Sequence, residues 1–218
     1  MYPGWRWKSI LRGVPPGVQM VNLYGMSPSS THPVVQVTYP DWVDEVVDWT
    51  RPCRSDEDRM KVAIAVARTN VERATGGPFG AAVFESRSGN LVAVGMNAVV
   101  RLNNCVLHGE MMAFMMAQQR VGNYTLNAPD LPEHELFTSC EPCAMCLGAT
   151  LWSGVRRLVY GATRDDASLL NFDEGPVFPE SYHYLENRGV RIGRSVLRDE
   201  ARGVLELYRS KSGKIYNG

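Results

Sequence analysis

Residues 142–146 read PCAMC and, earlier in the chain, residues 108–110 read HGE. The two cysteines of PCAMC are three positions apart, so on a helix both sulfur atoms lie on one face and can bind a single metal ion. Pro142 suits the first position of that helix, because the N–H that it lacks is not needed there. Together with His108, Cys143 and Cys146 supply three ligands of the kind that zinc prefers.

Three protein ligands leave one position of a tetrahedral zinc ion open for water, whereas a structural zinc site is closed by a fourth protein ligand. We therefore predict a zinc site formed by His108, Cys143 and Cys146, with one Zn²⁺ per chain and a bound water or hydroxide. A closed structural site in a binding module without catalysis is the alternative. Its candidate fourth ligands are Cys105, Cys140 and His134.

Glu110 lies two residues after the histidine ligand. Taken alone, it is an ordinary first-turn glutamate, which the helix dipole favours. Beside a zinc ligand it is better interpreted as the general acid/base, which takes a proton from the water and delivers it to a ring nitrogen of the substrate. We expect loss of Glu110 to abolish turnover without loss of zinc.

The composition limits the classes of partner. Lys+Arg and Asp+Glu both number 23, and this balance disfavours the broad basic surface typical of nucleic-acid binding. We expect a small neutral substrate, and neither a nucleic acid nor a membrane as partner. The five cysteines are an odd set that includes a pair at ligand spacing, which favours metal binding over disulfides and indicates a reducing, cytoplasmic location.

Residues 1–54 differ in composition from the rest of the chain, since they hold seven of the thirteen prolines and four of the five tryptophans. So many aromatic residues are unlike a solvated tail. We predict an N-terminal arm over 1–54 that packs on the protein itself or on a dimer mate, or covers the active site as a lid. Residues 55–218 are predicted to form the second domain.

From Ser55 onward, helical and strand patterns alternate. We predict helices over about 56–74, 108–120, 143–152, 179–187 and 197–209, and strands over about 79–85, 91–99, 135–138, 157–161 and 190–192. Strands that alternate with helices place helices on both faces of a central sheet. The fold class is therefore α/β, with three α/β/α layers.

Four segments resemble motifs of the cytidine deaminase-like superfamily, in the branch of guanine, fungal-type cytosine and tRNA adenosine deaminases. They are PFGA at 78–81, GMN at 95–97, LHGE at 107–110 and TSCEPCAMCLGA at 138–149. The resemblance spans about 55–218. It implies a mixed five-stranded sheet, a homodimer, and hydrolysis of an exocyclic amino group to a carbonyl with release of ammonia.

The resemblance also suggests substrate-binding residues. It implies that Asn97 bonds the substrate ring, that Ser139 belongs to the same site and that Tyr216, in the closing tail, covers it. Residues 165–173 are similar to a guanine deaminase segment in which an acid reads N–H donors, and Asp166 is our choice for that acid. A solvated acidic loop is the plain alternative.

Guanine or a guanine-like purine is therefore the first choice of substrate. HGE in place of the usual HAE, and residues 184–189, resemble fungal-type cytosine deaminases more closely. Cytosine, another aminopyrimidine, a nucleoside or a triazine is the second choice. Editing of tRNA is a further alternative, which the neutral charge disfavours.

Overall fold

The computed structural model describes residues 35–217, so that most of the predicted arm, including Trp5 and Trp7, lies outside the described residues. The helices are α1 Val43–Val46, α2 Asp56–Glu72, α3 Gly109–Val121, α4 Ala144–Ser153, α5 Arg164–Ser168, α6 Pro179–Asn187 and α7 Arg198–Ser210. The strands are β1 Gly80–Glu85, β2 Leu91–Met96, β3 His134–Cys140, β4 Arg157–Ala162 and β5 Arg191–Gly193. No described helix is long and apolar enough to cross a membrane.

The five strands form one mixed sheet in the order β2-β1-β3-β4-β5. Strand β1 is antiparallel to both β2 and β3, whereas β3, β4 and β5 run parallel. The parallel half needs helical crossovers, and α4 and α6 supply them. The predicted five-stranded mixed sheet is confirmed.

Side chains that alternate along β1 divide the core into two layers. Ala82 and Phe84 pack in a cluster with α2 and α7, whereas Ala81 and Val83 pack in a cluster with α3, α4 and α6. Both faces of the sheet are therefore covered, as the strand alternation predicts. The predicted three-layer α/β/α architecture is confirmed.

A charged network fixes α2 against the sheet. The guanidinium of Arg59, which is buried, donates to the Glu135 carboxylate at 2.6 Å and to the Ser86 carbonyl at 2.9 Å. Arg157 bridges the same Glu135 carboxylate to Asp56 at the start of α2. Because each buried charge has partners, the network avoids the cost of an unpaired one.

The backbone of α3 lies unusually close to β2. A Cβ atom on Gly95 would come within 2.0 Å of the Gly109 carbonyl oxygen and 2.4 Å of the Ala113 nitrogen, so only glycine fits there. Since Gly109 is the first residue of α3, this contact sets the position of the helix start that carries HGE.

Residues 37–54 of the predicted arm pack against the same core as the sheet. Trp42 and Val43 are buried, and Trp42 is 5% exposed. The side-chain hydroxyl of Tyr39 donates to the Val94 carbonyl at 2.9 Å, which joins this segment to β2. Residues from Val37 onward belong to one compact unit with the sheet. The domain boundary at 54/55 stays a prediction.

Candidate metal centre and active site

The first motif begins helix α3. His108 is the N-cap residue, with an extended backbone, and Gly109 and Glu110 form the first helical positions. The Glu110 side chain is 6% exposed, and its Oε1 atom accepts a hydrogen bond from the Thr138 hydroxyl on β3 at 3.2 Å. The helix start therefore brings an imidazole and a carboxylate to the same place, as the two-residue spacing predicts.

The second motif begins helix α4 in the same way. Cys143 is the N-cap residue, and Cys146 follows one turn later in the helix. The ligand atoms of His108, Cys143 and Cys146 all lie within 4.8 Å of one another, and His108 Nδ1 is 3.5 Å from Cys143 Sγ. Two thiol sulfurs and an imidazole nitrogen at this separation are a donor set that fits zinc.

The three groups interact electrostatically even without a metal. A hydrogen bond from Cys146 lowers the pKa of Cys143 to about 4, while the same contact raises the pKa of Cys146 well above its ordinary value. Burial lowers the pKa of His108, but its contact with the Cys143 sulfur outweighs this and leaves the pKa raised. One thiolate is thus already favoured, and a bound cation would favour the second.

The alternative ligands occupy other positions. The Cys140 thiol donates to the Thr163 carbonyl at 3.6 Å, and His134 Nδ1 is 2.9 Å from the Leu126 carbonyl at the opposite end of β3. Cys105 is exposed at the cavity described below. Within residues 35–217, His108, Cys143 and Cys146 are the group of possible metal ligands, with no fourth His, Cys, Asp or Glu in it.

A cavity of about 370 Å³ lies against this centre. Its walls come from four segments: the loop before α3, the start of α4, residues 173–175 and the C-terminal tail. The lining residues are Val99, Cys105, His108, Cys143, Ala144, Met145, Asp173, Glu174, Gly175, Tyr216 and Asn217. The volume is in the range of small-molecule sites.

Glu174 is the site residue that our sequence analysis missed. It lines the cavity, and its backbone carbonyl accepts a hydrogen bond from the Ala144 nitrogen at 2.9 Å, which ties it to the start of α4. Burial, followed by the nearby Cys143 and Glu110, raises the pKa of Glu174 to about 8. The segment 165–173 that we considered in the sequence ends one residue before Glu174. The Gly175-Pro176 pair indicates a turn directly after Glu174 and was a usable signal for extending the segment.

The C-terminal tail forms one wall of the cavity with the segment that carries Glu174. Asn217 accepts from the Asp173 nitrogen at 3.0 Å and donates to the Asn171 carbonyl at 2.8 Å. The Tyr216 ring contacts Phe172 edge-on at a centroid distance of 5.3 Å. The Tyr216 hydroxyl is buried without a protein partner, so it is available to a ligand.

The other two predicted residues near the site differ in their environment. Asn97 is fully buried, its Oδ1 atom accepts from the Val99 nitrogen at 3.3 Å, and its Nδ2 atom has no protein partner. Ser139 accepts from the Gly80 nitrogen at 3.0 Å. The Ser139 hydroxyl oxygen thus joins β3 to β1, and neither residue is among those that line the cavity.

Asp166 does not line the cavity either. It is the third residue of α5, where its carboxylate accepts from the Thr163 nitrogen at 2.8 Å in a capping box. Arg198 at the start of α7 donates to both of its oxygen atoms, at 2.9 and 3.0 Å. The pattern Thr163-x-x-Asp166 is a helix-start signature that our reading of this segment as a substrate-recognition loop overlooked.

We predict that Asp166→Asn lowers the free energy of unfolding at pH 7 by about 1 kcal/mol, the usual cost of losing a helix cap. Arg198 and Thr163 lower the pKa of Asp166 to about 2. The stabilisation by its charge is therefore complete above the unfolded pKa of about 4 and is lost as the pH falls through the folded value. Urea denaturation of both proteins at several pH values measures the difference, which should shrink on acidification.

The neighbouring Asp165→Asn is the control, because Asp165 is exposed. An altered substrate selectivity of Asp166→Asn with unchanged stability would contradict the structural role.

Comparison with known proteins places the chain in a family. The model of the cytidine and deoxycytidylate deaminase zinc-binding region matches residues 53–162. Guanine deaminase of Bacillus subtilis is 34% identical over 134 residues, which cover 62% of this chain and 81% of that protein.

Solved structures agree with this assignment. The guanine deaminase from Nitrosomonas europaea is 38% identical, covers 85% of this chain and 100% of its own, and superimposes with a TM-score of 0.76. A chain solved in complex with 2,6-diaminopurine is 40% identical, with coverage of 84% and 97% and a TM-score of 0.79. The chain therefore belongs to the cytidine and deoxycytidylate deaminase family, and it is a zinc-dependent nucleobase deaminase that hydrolyses a C–N bond.

Proposed function

We propose that this chain is a guanine deaminase, which converts guanine and water to xanthine and ammonia. The observation that carries the proposal is the second acid, Glu174, on the wall of the cavity that also exposes His108 and Cys143. An ionised carboxylate only accepts hydrogen bonds, so Glu174 suits adjacent N–H donors of a guanine-like purine once a bound zinc ion offsets the Cys143 charge that helps to raise its pKa. The guanine deaminases among the similar proteins support the same substrate.

In this proposal His108, Cys143 and Cys146 hold the zinc ion. When bound, zinc supplies Lewis-acid activation of the attacking water. The N-cap positions of His108 and Cys143 aim their side chains away from the two helices and towards each other. Their donor atoms are thus arranged by backbone structure before any metal arrives.

Glu110 is proposed as the proton carrier. It accepts the proton of the attacking water, delivers it to a ring nitrogen of guanine, and helps to protonate the amine that leaves as ammonia. Its position supports this role, since Thr138 holds one carboxylate oxygen and the two thiols lie beside the group. A group that exchanges protons with substrate needs such a fixed place within hydrogen-bond reach.

Two unpartnered polar groups complete the proposed site. The Nδ2 atom of Asn97 is a buried donor and the hydroxyl of Tyr216 a buried donor and acceptor, and neither has a protein partner. Such groups are costly to bury unless something else pairs with them. We assign the Tyr216 hydroxyl to the purine because Tyr216 lines the cavity, and we propose Asn97 Nδ2 as a second donor because its Oδ1 atom bonds the nitrogen of the lining residue Val99.

The central test is ammonia release from guanine, cytosine, adenine, their nucleosides and ammeline. Wild type should act on guanine with the highest kcat/KM, and Glu110→Gln should lose at least about a thousandfold in kcat because the proton carrier is absent. Metal analysis should find one zinc per chain in both proteins, and less in Cys143→Ser.

A higher kcat/KM for cytosine would move the assignment to a cytosine deaminase. Activity on none of the free bases or nucleosides would remove the small-molecule proposal and favour an RNA substrate.

Glu174→Gln tests the purine-recognition role. The variant keeps the shape but exchanges one acceptor oxygen for a donor, so we expect kcat/KM for guanine to fall about a hundredfold, the value of a lost charge-assisted hydrogen bond. Zinc content should be unchanged. The matched control is Glu180→Gln, an exposed glutamate in the first turn of α6. Equal losses in both variants would contradict the role.

We also propose that the chain forms a homodimer through α4. Its ten residues include no charged side chain, and its outer stripe consists of Met145, Gly148, Ala149 and Trp152, at the spacing of one helical face. Trp152 is 80% exposed, and nothing lies within 4 Å of a Cβ placed on Gly148. An uncharged stripe around an open glycine suits close packing against a second copy of itself.

Sedimentation velocity measures the oligomeric state. Wild type should sediment as a dimer, and Trp152→Glu should shift it to a monomer because a charge is placed at the centre of an apolar contact. Tyr184→Glu is the control, because Tyr184 is an aromatic residue that is 55% exposed on a different helix, α6. A monomeric wild type at micromolar concentration would exclude the dimer.

A further inference from the structure

Trp42 donates a hydrogen bond from the N-terminal segment to the turn that follows α2. Its indole Nε1 atom is 3.0 Å from the hydroxyl oxygen of Thr75, and the ring is 5% exposed. An indole N–H can only donate, so the Thr75 oxygen must accept this bond. The Thr75 proton is then directed elsewhere, and the nearest acceptor is Asn70 Oδ1 at 2.7 Å.

The Asn70 side-chain amide continues this chain of hydrogen bonds. Since its oxygen accepts from Thr75, its Nδ2 atom faces the other way and donates to two backbone carbonyls, those of Gly77 at 2.8 Å and Asn97 at 2.9 Å. Asn70 is fully buried. The Trp42 indole N–H and Asn70 Nδ2 can only donate and Asn70 Oδ1 can only accept, so these groups fix the direction of the bonds, and the Thr75 hydroxyl donates to Asn70 Oδ1 at 2.7 Å with the Asn70 carbonyl as a more distant acceptor at 3.4 Å.

The two carbonyls at the end belong to residues that adjoin the cavity lining, since Asn97 Oδ1 bonds the nitrogen of Val99 and Gly77 contacts Tyr216. Asn97 carries the unpartnered Nδ2 donor. Gly77 packs directly against Tyr216, since a Cβ on Gly77 would come within 2.0 Å of the Tyr216 hydroxyl. A Cβ on Gly76 would likewise come within 1.9 Å of the Asn97 carbonyl oxygen. The Gly76-Gly77 turn and Asn97 are therefore packed together, and Asn70 joins them.

We propose that Trp42, Thr75 and Asn70 form a positioning relay, a chain of hydrogen bonds that fixes Asn97 and Gly77 for purine binding. Through Gly77 it also fixes the position of Tyr216. This proposal rests on the guanine deaminase function proposed above. None of the three residues lines the cavity, so they act through Asn97 and Gly77. The relay gives the N-terminal segment a task in substrate binding that is different from covering the site.

Thr75 offers a matched pair of variants. Thr75→Val keeps the side-chain shape but removes the hydroxyl, so it leaves both the Trp42 N–H and Asn70 Oδ1 unpaired. Thr75→Ser retains the hydroxyl and should rescue. We expect Thr75→Val to raise KM for guanine about five- to tenfold with kcat within about twofold, because a binding contact is misplaced and the chemistry is untouched.

The two tryptophans of this segment offer a second comparison. Trp42→Phe should raise KM in the same way, and the double variant with Thr75→Val should be no worse than Thr75→Val alone, since both remove one relay. Trp49→Phe is the control, because the Trp49 indole donates to Asp44 within the same segment at 2.8 Å. It should leave KM unchanged.

Amide hydrogen exchange supplies a readout that needs no activity. The Asn97 nitrogen donates to the Phe79 carbonyl at 2.9 Å, and this bond should exchange faster in Thr75→Val and Trp42→Phe but not in Trp49→Phe. Equal KM and equal exchange in all of these variants would overturn the relay while guanine turnover by wild type stands. If wild type acts on no base, the proposed function fails, and the exchange pattern alone decides for or against the relay.

Discussion

Two helix starts must meet at one point for this protein to bind a metal. His108 is the N-cap of α3 and Cys143 is the N-cap of α4, and their ligand atoms lie with that of Cys146 inside 4.8 Å. The meeting depends on backbone contacts that tolerate no side chain, above all Gly95 against the Gly109 carbonyl. Strand β3 completes it, because it leads directly into α4 and presents Thr138 to Glu110.

The parts that the sequence predicts well are those in which local pattern and tertiary role agree. PCAMC combines a helix-starting proline with cysteines at chelating spacing, so the motif alone predicts that both sulfur atoms lie on one face of a helix. The predicted helix over 56–74 is close to the observed α2, since Ser55 caps it and accepts from the Asp58 nitrogen. Each such element is specified by residues a few positions apart.

The parts that the sequence does not predict depend on contacts between distant segments. Asp166 and Glu174 are both acids after β4, and the sequence alone does not show which of them lines the cavity. What separates them is Arg198, 32 residues away, which pairs with Asp166, and Ala144, which holds Glu174 at the start of α4. The same limit applies to Trp42, whose partner Thr75 becomes visible only once the segment before α2 has packed on the sheet.

The metal ligands and the cavity wall are also separated along the chain. The family match ends at residue 162, after all three ligands, whereas Glu174 and Tyr216 come later, on two segments that Asn217 joins through its bonds to the backbone of Asp173 and Asn171. The later segments are not independent of the ligands, because the Glu174 carbonyl accepts a hydrogen bond from the Ala144 nitrogen, next to Cys143. A substitution beyond residue 162 that moves the Glu174 backbone would therefore also move the start of α4, where two of the three metal ligands lie.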